Sequence, residues 1–277
     1  MIAQTSVFRF EAGRVSELHD QLAVEEPLQI QMLVGSSGKE QIKNIAITMR
    51  TPGKDEELAA GFLYTEGIIS NKEDIVTITS HSSGENTVLI VMRGDYKPSF
   101  VATERNFYIS SSCGVCGKAS IDAVRSVSTY PSSDFFLKIP FSLLHTLPAK
   151  LKTDQQAFQS TGGLHACALF DTSGKLLMLR EDVGRHNALD KLIGAAFIGG
   201  QLPADKHILL LSGRASFELV QKGAIAGIKI IAAIGAPSSL AVELAKEAGI
   251  TLIGFLKEER FNIYSYPERI TGALTSS

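Results

Sequence analysis

The second half of the chain alternates apolar strand-like runs with helical stretches, and that alternation restricts the fold more than any other feature. The residue pattern predicts a helix within 142–158, with Pro148 as a potential break, then strands over 164–170 and 175–180 around the turn Asp171-Thr172-Ser173-Gly174. A helix over 185–197 follows, then strand 208–211, helix 215–226, strand 229–234, helix 237–248 and strand 251–255. The strands are almost wholly apolar, as expected where helices cover both faces of a mostly parallel sheet. The first half reads differently: strands over 28–33 and 45–49, a helix after Pro52-Gly53 opened by Asp55-Glu56-Glu57, and a strand pair over 75–78 and 88–92 around Ser83-Gly84-Glu85-Asn86. A short amphipathic stretch over 119–127 closes it. The 277 residues thus divide into an α+β subdomain over 1–137 and a three-layer α/β/α subdomain over 138–277.

Composition excludes several functional classes. A formal net charge of −2 gives no global attraction for nucleic acid. No apolar run reaches the roughly 20 residues of a membrane-spanning helix. The opening Met-Ile-Ala-Gln-Thr-Ser-Val-Phe-Arg-Phe has no basic segment followed by an apolar one, so a cytoplasmic location is expected.

Three strand-to-helix junctions are rich in small and polar residues: Glu181-Asp182-Val183-Gly184-Arg185-His186, Ser212-Gly213-Arg214-Ala215-Ser216 and Gly235-Ala236-Pro237-Ser238-Ser239. In an open α/β sheet such junctions gather at the carboxyl ends of the strands, where ligands bind. Each presents a helix N-terminus with N–H groups that attract anions, and Arg185 and Arg214 add charge. A phosphate-bearing ligand fits this pattern; plain capping by Ser and Asp is the other reading. There is no Gly-x-Gly-x-x-Gly or Walker loop.

The odd number of cysteines, Cys113, Cys116 and Cys167, argues against a disulfide scaffold. Cys167 lies in an apolar strand and reads as a small hydrophobe. Cys113-Gly114-Val115-Cys116 stands among Ser, Gly and Lys118 instead. Three chemistries are open to it: half of a zinc site completed by Cys167 and His165, a dithiol redox pair, or a persulfide carrier. The order of elements also matches zinc-dependent nucleotide deaminases, which carry His-x-Glu at one helix start and Pro-Cys-x-x-Cys at the next. Here those places read Arg185-His186-Asn187-Ala188 and Arg214-Ala215-Ser216-Phe217, without the catalytic Glu or the cysteines, so deamination is not expected. His186 is left as a ligand-facing donor or a polar helix-start residue.

Taken together, these segments resemble the formate dehydrogenase accessory sulfurtransferase family (FdhD). The resemblance covers most of the chain. It rests on Glu26-Pro27-Leu28, on Thr51-Pro52-Gly53 through Gly67-Ile68-Ile69, and on Ser112-Cys113-Gly114-Val115-Cys116-Gly117-Lys118. Thr161-Gly162-Gly163-Leu164-His165-Ala166 and Arg180-Glu181-Asp182-Val183-Gly184-Arg185-His186-Asn187-Ala188-Leu189-Asp190-Lys191 continue it, with Ser212 to Ser216 and Gly235-Ala236-Pro237-Ser238-Ser239-Leu240-Ala241. It implies a deaminase-like scaffold without zinc. It further implies that the protein takes persulfide sulfur from a cysteine desulfurase and passes it to the molybdenum (or tungsten) bis(pyranopterin guanine dinucleotide) cofactor of formate dehydrogenase. Cys113 would be the persulfide cysteine and Cys116 an assistant. Phe255, Leu256, Lys257, Glu258, Glu259 and Arg260 would form the cofactor-binding segment, for which a guanine nucleotide such as GDP is a mimic. A homodimer is implied, and no structural metal. Lys257 and Arg260 suit phosphates, whereas Glu258 and Glu259 repel them unless one accepts hydrogen bonds from guanine. Arg185, His186, Arg214, Ser216 and Ser238 join this set from their places at the junctions. A different function remains beside this one, a non-catalytic chaperone for the guanine-containing cofactor.

Overall fold

A computed structural model describes residues 2–36, 38–80, 86–96 and 137–272. Cys113 and Cys116, the stretch 119–127 and the turn at Ser83 to Glu85 lie outside the described residues.

The apolar runs of the second half pair into a sheet with the order β13-β12-β11-β10-β8-β9. Its strands are β8 (His165–Phe170), β9 (Leu176–Asp182), β10 (Ile208–Leu211), β11 (Ile230–Ala233), β12 (Thr251–Gly254) and β13 (Asn262–Ser265). Parallel pairing is confined to β10, β11 and β12, whereas β8 and β13 run antiparallel to their neighbours, so the sheet is mixed rather than mostly parallel. The cause is loop length: only a hairpin fits the short link from β8 to β9, where Asp171 Oδ1 accepts the N–H of Ser173 at 2.8 Å and of Lys175 at 2.9 Å.

Side chains along each strand alternate between the two faces. Leu209, Leu211, Ile231, Ala233 and Leu252 enter the larger core with α4 (Arg185–Ile198), α5 (Phe217–Ile225) and α6 (Ser239–Glu247). Ile208, Leu210, Ile230, Ala232 and Ile253 enter a second core with Leu144, Leu147 and Leu151 of α2 (Phe141–Asp154). Helices therefore cover both faces, which gives the three layers expected. Helix α2 runs unbroken through Pro148 and ends beyond it, before Gln155 and the short α3 (Gln156–Thr161). The short β7 (Ile139–Pro140) pairs in parallel with β14 (Ile270–Thr271) beside α2.

The first half opens with a hairpin the residue pattern did not reveal, β1 (Ile2–Glu11) and β2 (Arg14–Ala23), paired along their whole length. A four-stranded sheet follows in the order β4-β3-β6-β5, formed by β3 (Glu26–Val34), β4 (Gln41–Arg50), β5 (Ile75–Ser80) and β6 (Thr87–Met92). Leu28, Ile30, Met32, Val88, Ile90 and Met92 pack with Leu58 and Leu63 of α1 (Asp55–Thr65) in the same core that takes in the second half. Helix α1 lies directly on α4. A Cβ built on Gly61 would lie 1.9 Å from Asp190 O, and one on Gly194 would lie 1.8 Å from Glu57 O. Only glycine permits that backbone contact.

Candidate functional site

The start of α4 is held by a buried lock. Asp182, at the end of β9, is fully buried and pairs with Lys191 Nζ at 2.7 Å. The same carboxylate accepts N–H bonds from Thr51 at 3.2 Å and Gly184 at 2.8 Å. Lys191 also donates to Thr51 O at 2.8 Å, and Asn187 Nδ2 donates to Met49 O at 2.7 Å. A buried charge pair persists only when its remaining hydrogen-bonding capacity is used, and here it is. The segments Thr51-Pro52-Gly53 and Asp182 through Lys191 are thus two sides of one junction. Their pairing spans more than 130 positions in sequence, which no local pattern reveals.

Beyond the strand ends, the loops after β10, β11 and β12 continue pairing. Gly235 N donates to Gly213 O at 2.9 Å, Ser238 N to Ala215 O at 3.0 Å and Phe255 N to Gly235 O at 3.0 Å. A Cβ on Gly235 would sit 3.0 Å from Arg214 N and Gly213 O, so glycine keeps the loops this close. His165, at the start of β8, joins the same row, with its ring nitrogen Nδ1 3.4 Å from the position of a Cβ on Gly213. Burial, then the neighbouring Arg185 and His186, push its imidazolium below the ordinary histidine range. From β12 to β8 the row spans three strand spacings, about 14 Å.

The two serine-capped helices in this row differ. Ser216 and Ser238 have almost the same backbone conformation, at φ −84°, ψ 166° and φ −83°, ψ 161°. Ser238 Oγ accepts the N–H of Ala241 at 3.3 Å, an ordinary cap. Ser216 Oγ makes no such bond and is buried without a hydrogen-bond partner. His186 is only 6% exposed, and both its ring nitrogens are likewise buried without a hydrogen-bond partner. Its Nε2 lies 3.8 Å from Glu218 Oε2, within ion-pair range and too long for a hydrogen bond. His186 above all, with Ser216 and the backbone at the start of α5, holds the Glu218 carboxyl down to about 2 against desolvation. Glu218 had no place in the residue-pattern reading, because an acidic residue in a first helical turn is ordinary.

The structure brings Arg185, His186, Arg214, Ser216, Ser238 and Phe255 to one edge, with Arg214 and Phe255 exposed. Lys257, Glu258, Glu259 and Arg260 are exposed in the turn after β12, closed by Lys257 N donating to Arg260 O at 2.9 Å. Leu256 is fully buried in the second core, so its side chain anchors this turn and faces no ligand. Cys167 is buried in the larger core, and burial pushes its thiol far up, as expected for a small hydrophobe. Among the described residues no three His, Cys, Asp or Glu side chains gather to hold a metal ion. No helix among them is long and apolar enough to cross a membrane.

Residues 23–271 match the model of the FdhD/NarQ family. The chain is 46% identical over 275 residues to the sulfur carrier protein FdhD of Streptomyces coelicolor, covering 95% of this chain and 94% of that one. It is 44% identical to the protein of the same name from Saccharolobus solfataricus, covering 95% and 98%. A crystal structure described as that of a formate dehydrogenase accessory protein from Desulfotalea psychrophila superposes with a TM-score of 0.76 at 26% identity, over 98% of this chain and 99% of that one.

Proposed function

The chain belongs to the FdhD/NarQ family, and from that premise we propose that it is a sulfurtransferase that loads sulfur onto a molybdenum (or tungsten) bis(pyranopterin guanine dinucleotide) before formate dehydrogenase receives it. Cys113 is the carrier. Its thiolate attacks the outer sulfur of a cysteine desulfurase persulfide, a new S–S bond forms, and the desulfurase thiolate leaves. Cys116 assists by attacking Cys113 Sγ, which releases the outer sulfur as hydrosulfide and leaves a disulfide for a thiol reductant to reset.

The observation that carries the cofactor half of this reading is the edge row itself. Paired glycine loops, the starts of α4, α5 and α6, and buried polar atoms without protein partners lie along about 14 Å, enough for an extended nucleotide. Lys257, Arg260 and Arg214 suit phosphates, Phe255 offers a ring face, and Leu256 fixes the turn. Glu258 and Glu259 point their charge toward solvent. In this reading residues 1–137 carry the sulfur and residues 138–277 a deaminase-like scaffold turned to cofactor binding, with His186 where a deaminase holds its zinc histidine. The working location is the cytoplasm, and the working form is a homodimer. Exposed Phe8, Phe10 and Val15 on one face of the β1–β2 hairpin supply apolar surface for the second copy.

Intact mass after incubation with a cysteine desulfurase and cysteine tests the central claim. Wild type gains about 32 Da per sulfur, lost on reduction, and Cys113→Ala gains nothing. A persulfide on Cys113→Ala overturns the assignment. The edge row also favours a second reading, a cofactor chaperone, because the described residues alone gather its helix starts, cations and glycine loops. That reading predicts that Cys113→Ser/Cys116→Ser still activates formate dehydrogenase.

A further inference from the structure

The end of the edge row at α4 and α5 is chemically unlike the end at Phe255. Three polar groups converge there: the His186 ring, the Ser216 hydroxyl and the Glu218 carboxylate. Two of them keep buried atoms without a hydrogen-bond partner. An unsatisfied buried polar atom costs about 1–3 kcal/mol, so native proteins leave few of them. Ser238, one strand over, shows that the same backbone can spend its hydroxyl on a cap, and Ser216 does not. The Glu218 side chain is 17% exposed, so the group is reachable from the row.

Charge decides what fits. Two helix starts and His186 keep Glu218 ionised, and an ionised carboxylate repels phosphate. Arg214 and Arg185 flank the starts of α5 and α4, whereas the exposed cations Lys257 and Arg260 lie at the other end, in the turn after β12. A ligand laid along the row therefore carries its phosphates there and brings hydrogen-bond donors to Glu218. A carboxylate accepts two parallel N–H bonds best from adjacent ring N–H and amino groups, and the nearby imidazole and hydroxyl can donate to a ring carbonyl.

We propose that Glu218, with His186 and Ser216, reads the amide–amine edge of a 2-amino-4-oxopyrimidine ring, the chemistry shared by guanine and pterin. The proposal rests on the cofactor reading above and sharpens it. It places base recognition on a half-buried carboxylate rather than on Glu258 or Glu259, which stand in water, where a hydrogen bond to the base competes with solvent.

Calorimetric titration of the full chain with GDP, IDP (which lacks the 2-amino group) and ADP tests it. Wild type binds GDP roughly 10- to 100-fold more tightly than IDP, the worth of one or two charge-assisted hydrogen bonds. In Glu218→Gln that preference collapses toward 1 while IDP still binds, and in Glu259→Gln it persists. His186→Gln weakens GDP and IDP together, because both keep the ring carbonyl. Competition with 6-hydroxymethylpterin separates the two sources: displacement of GDP assigns the seat to either ring, and no displacement assigns it to guanine alone. An undiminished GDP preference in Glu218→Gln overturns the proposal and leaves the cofactor reading standing. Failure of wild type to bind any of these nucleotides overturns both, and leaves sulfur carriage by Cys113 to be judged by mass.

Discussion

Lys222 Nζ lies 2.9 and 3.0 Å from the two carboxylate oxygens of Asp190, in a buried pair that ties α5 to α4. Thr65 of α1 joins it, accepting from Lys222 at 2.8 Å and donating to Asp190 at 2.9 Å. Three helices thus meet at one charge cluster. Burial disfavours the Lys222 ammonium, but Asp190 and Glu66 outweigh it and raise its pKa. Removing one partner strands the other, whereas removing both need not cost stability. Lys222→Met should therefore destabilise by about 3–5 kcal/mol in urea unfolding, and Lys222→Met/Asp190→Leu should recover most of that loss. If the double variant is no more stable than the single one, the cluster is not an isolated pair.

Alanine at Gly194 should act against its own helix propensity. Ala favours a helix interior over Gly by about 1 kcal/mol. The added methyl, however, would collide with the backbone of α1 at Glu57. Overpacking against backbone, which cannot swing aside, should win by about 3 kcal/mol or more. A lower melting temperature for Gly194→Ala checks this; an increase would mean that α1 and α4 separate without penalty.

Acid should expose the attraction between Glu218 and His186. The Glu218 carboxyl is lowered from 4.5 to about 2 in the folded protein. A depressed carboxyl adds stability above its unfolded pKa, and that contribution is lost as pH falls through the folded value. Glu218→Gln should melt below wild type at neutral pH, with the gap closing from about pH 4.5 toward pH 2. A gap that is constant with pH would mean that the carboxylate gains nothing from its neighbours.

Much of the fold could be read in the residue pattern, and the reasons for the misses are local. Strand β8 and the α4 to β12 alternation are visible because burial on both faces forces nearly pure apolar strands, and the half-exposed β9 is marked by the turn Asp171-Thr172-Ser173-Gly174 before it. The β1–β2 hairpin is not, because it projects from the core and its strands mix Arg9, Glu11, Glu17 and Asp20 with Phe8 and Phe10. Antiparallel β13 was hidden by the short turn through Lys257 to Arg260, which reads as a solvated charge run. At the candidate site, the glycine and serine junctions were legible as a row. Glu218 was not, since its meaning comes from His186, 32 positions earlier and across a helix pair.

Thiol reagents should separate the cysteines. Cys167 is buried at 2% exposure, with its thiol pushed far up by desolvation. A thiol that is neither accessible nor ionised does not react. Iodoacetamide on the native protein should leave Cys167 unlabelled by peptide mass spectrometry, and label it only in denaturant. Labelling of Cys167 in the native state would make it a rival carrier of sulfur.

The backbone contact at Gly61 and Gly194 also limits how the two halves can move. Two lobes that open and close need a seam of side chains that can part and re-form. Here the seam is glycine against carbonyl, braced on either side by Asp182–Lys191 and Asp190–Lys222. Among the described residues this junction is clenched, with no jaw to work. Whatever ligand comes to the edge of the sheet meets a fixed dock.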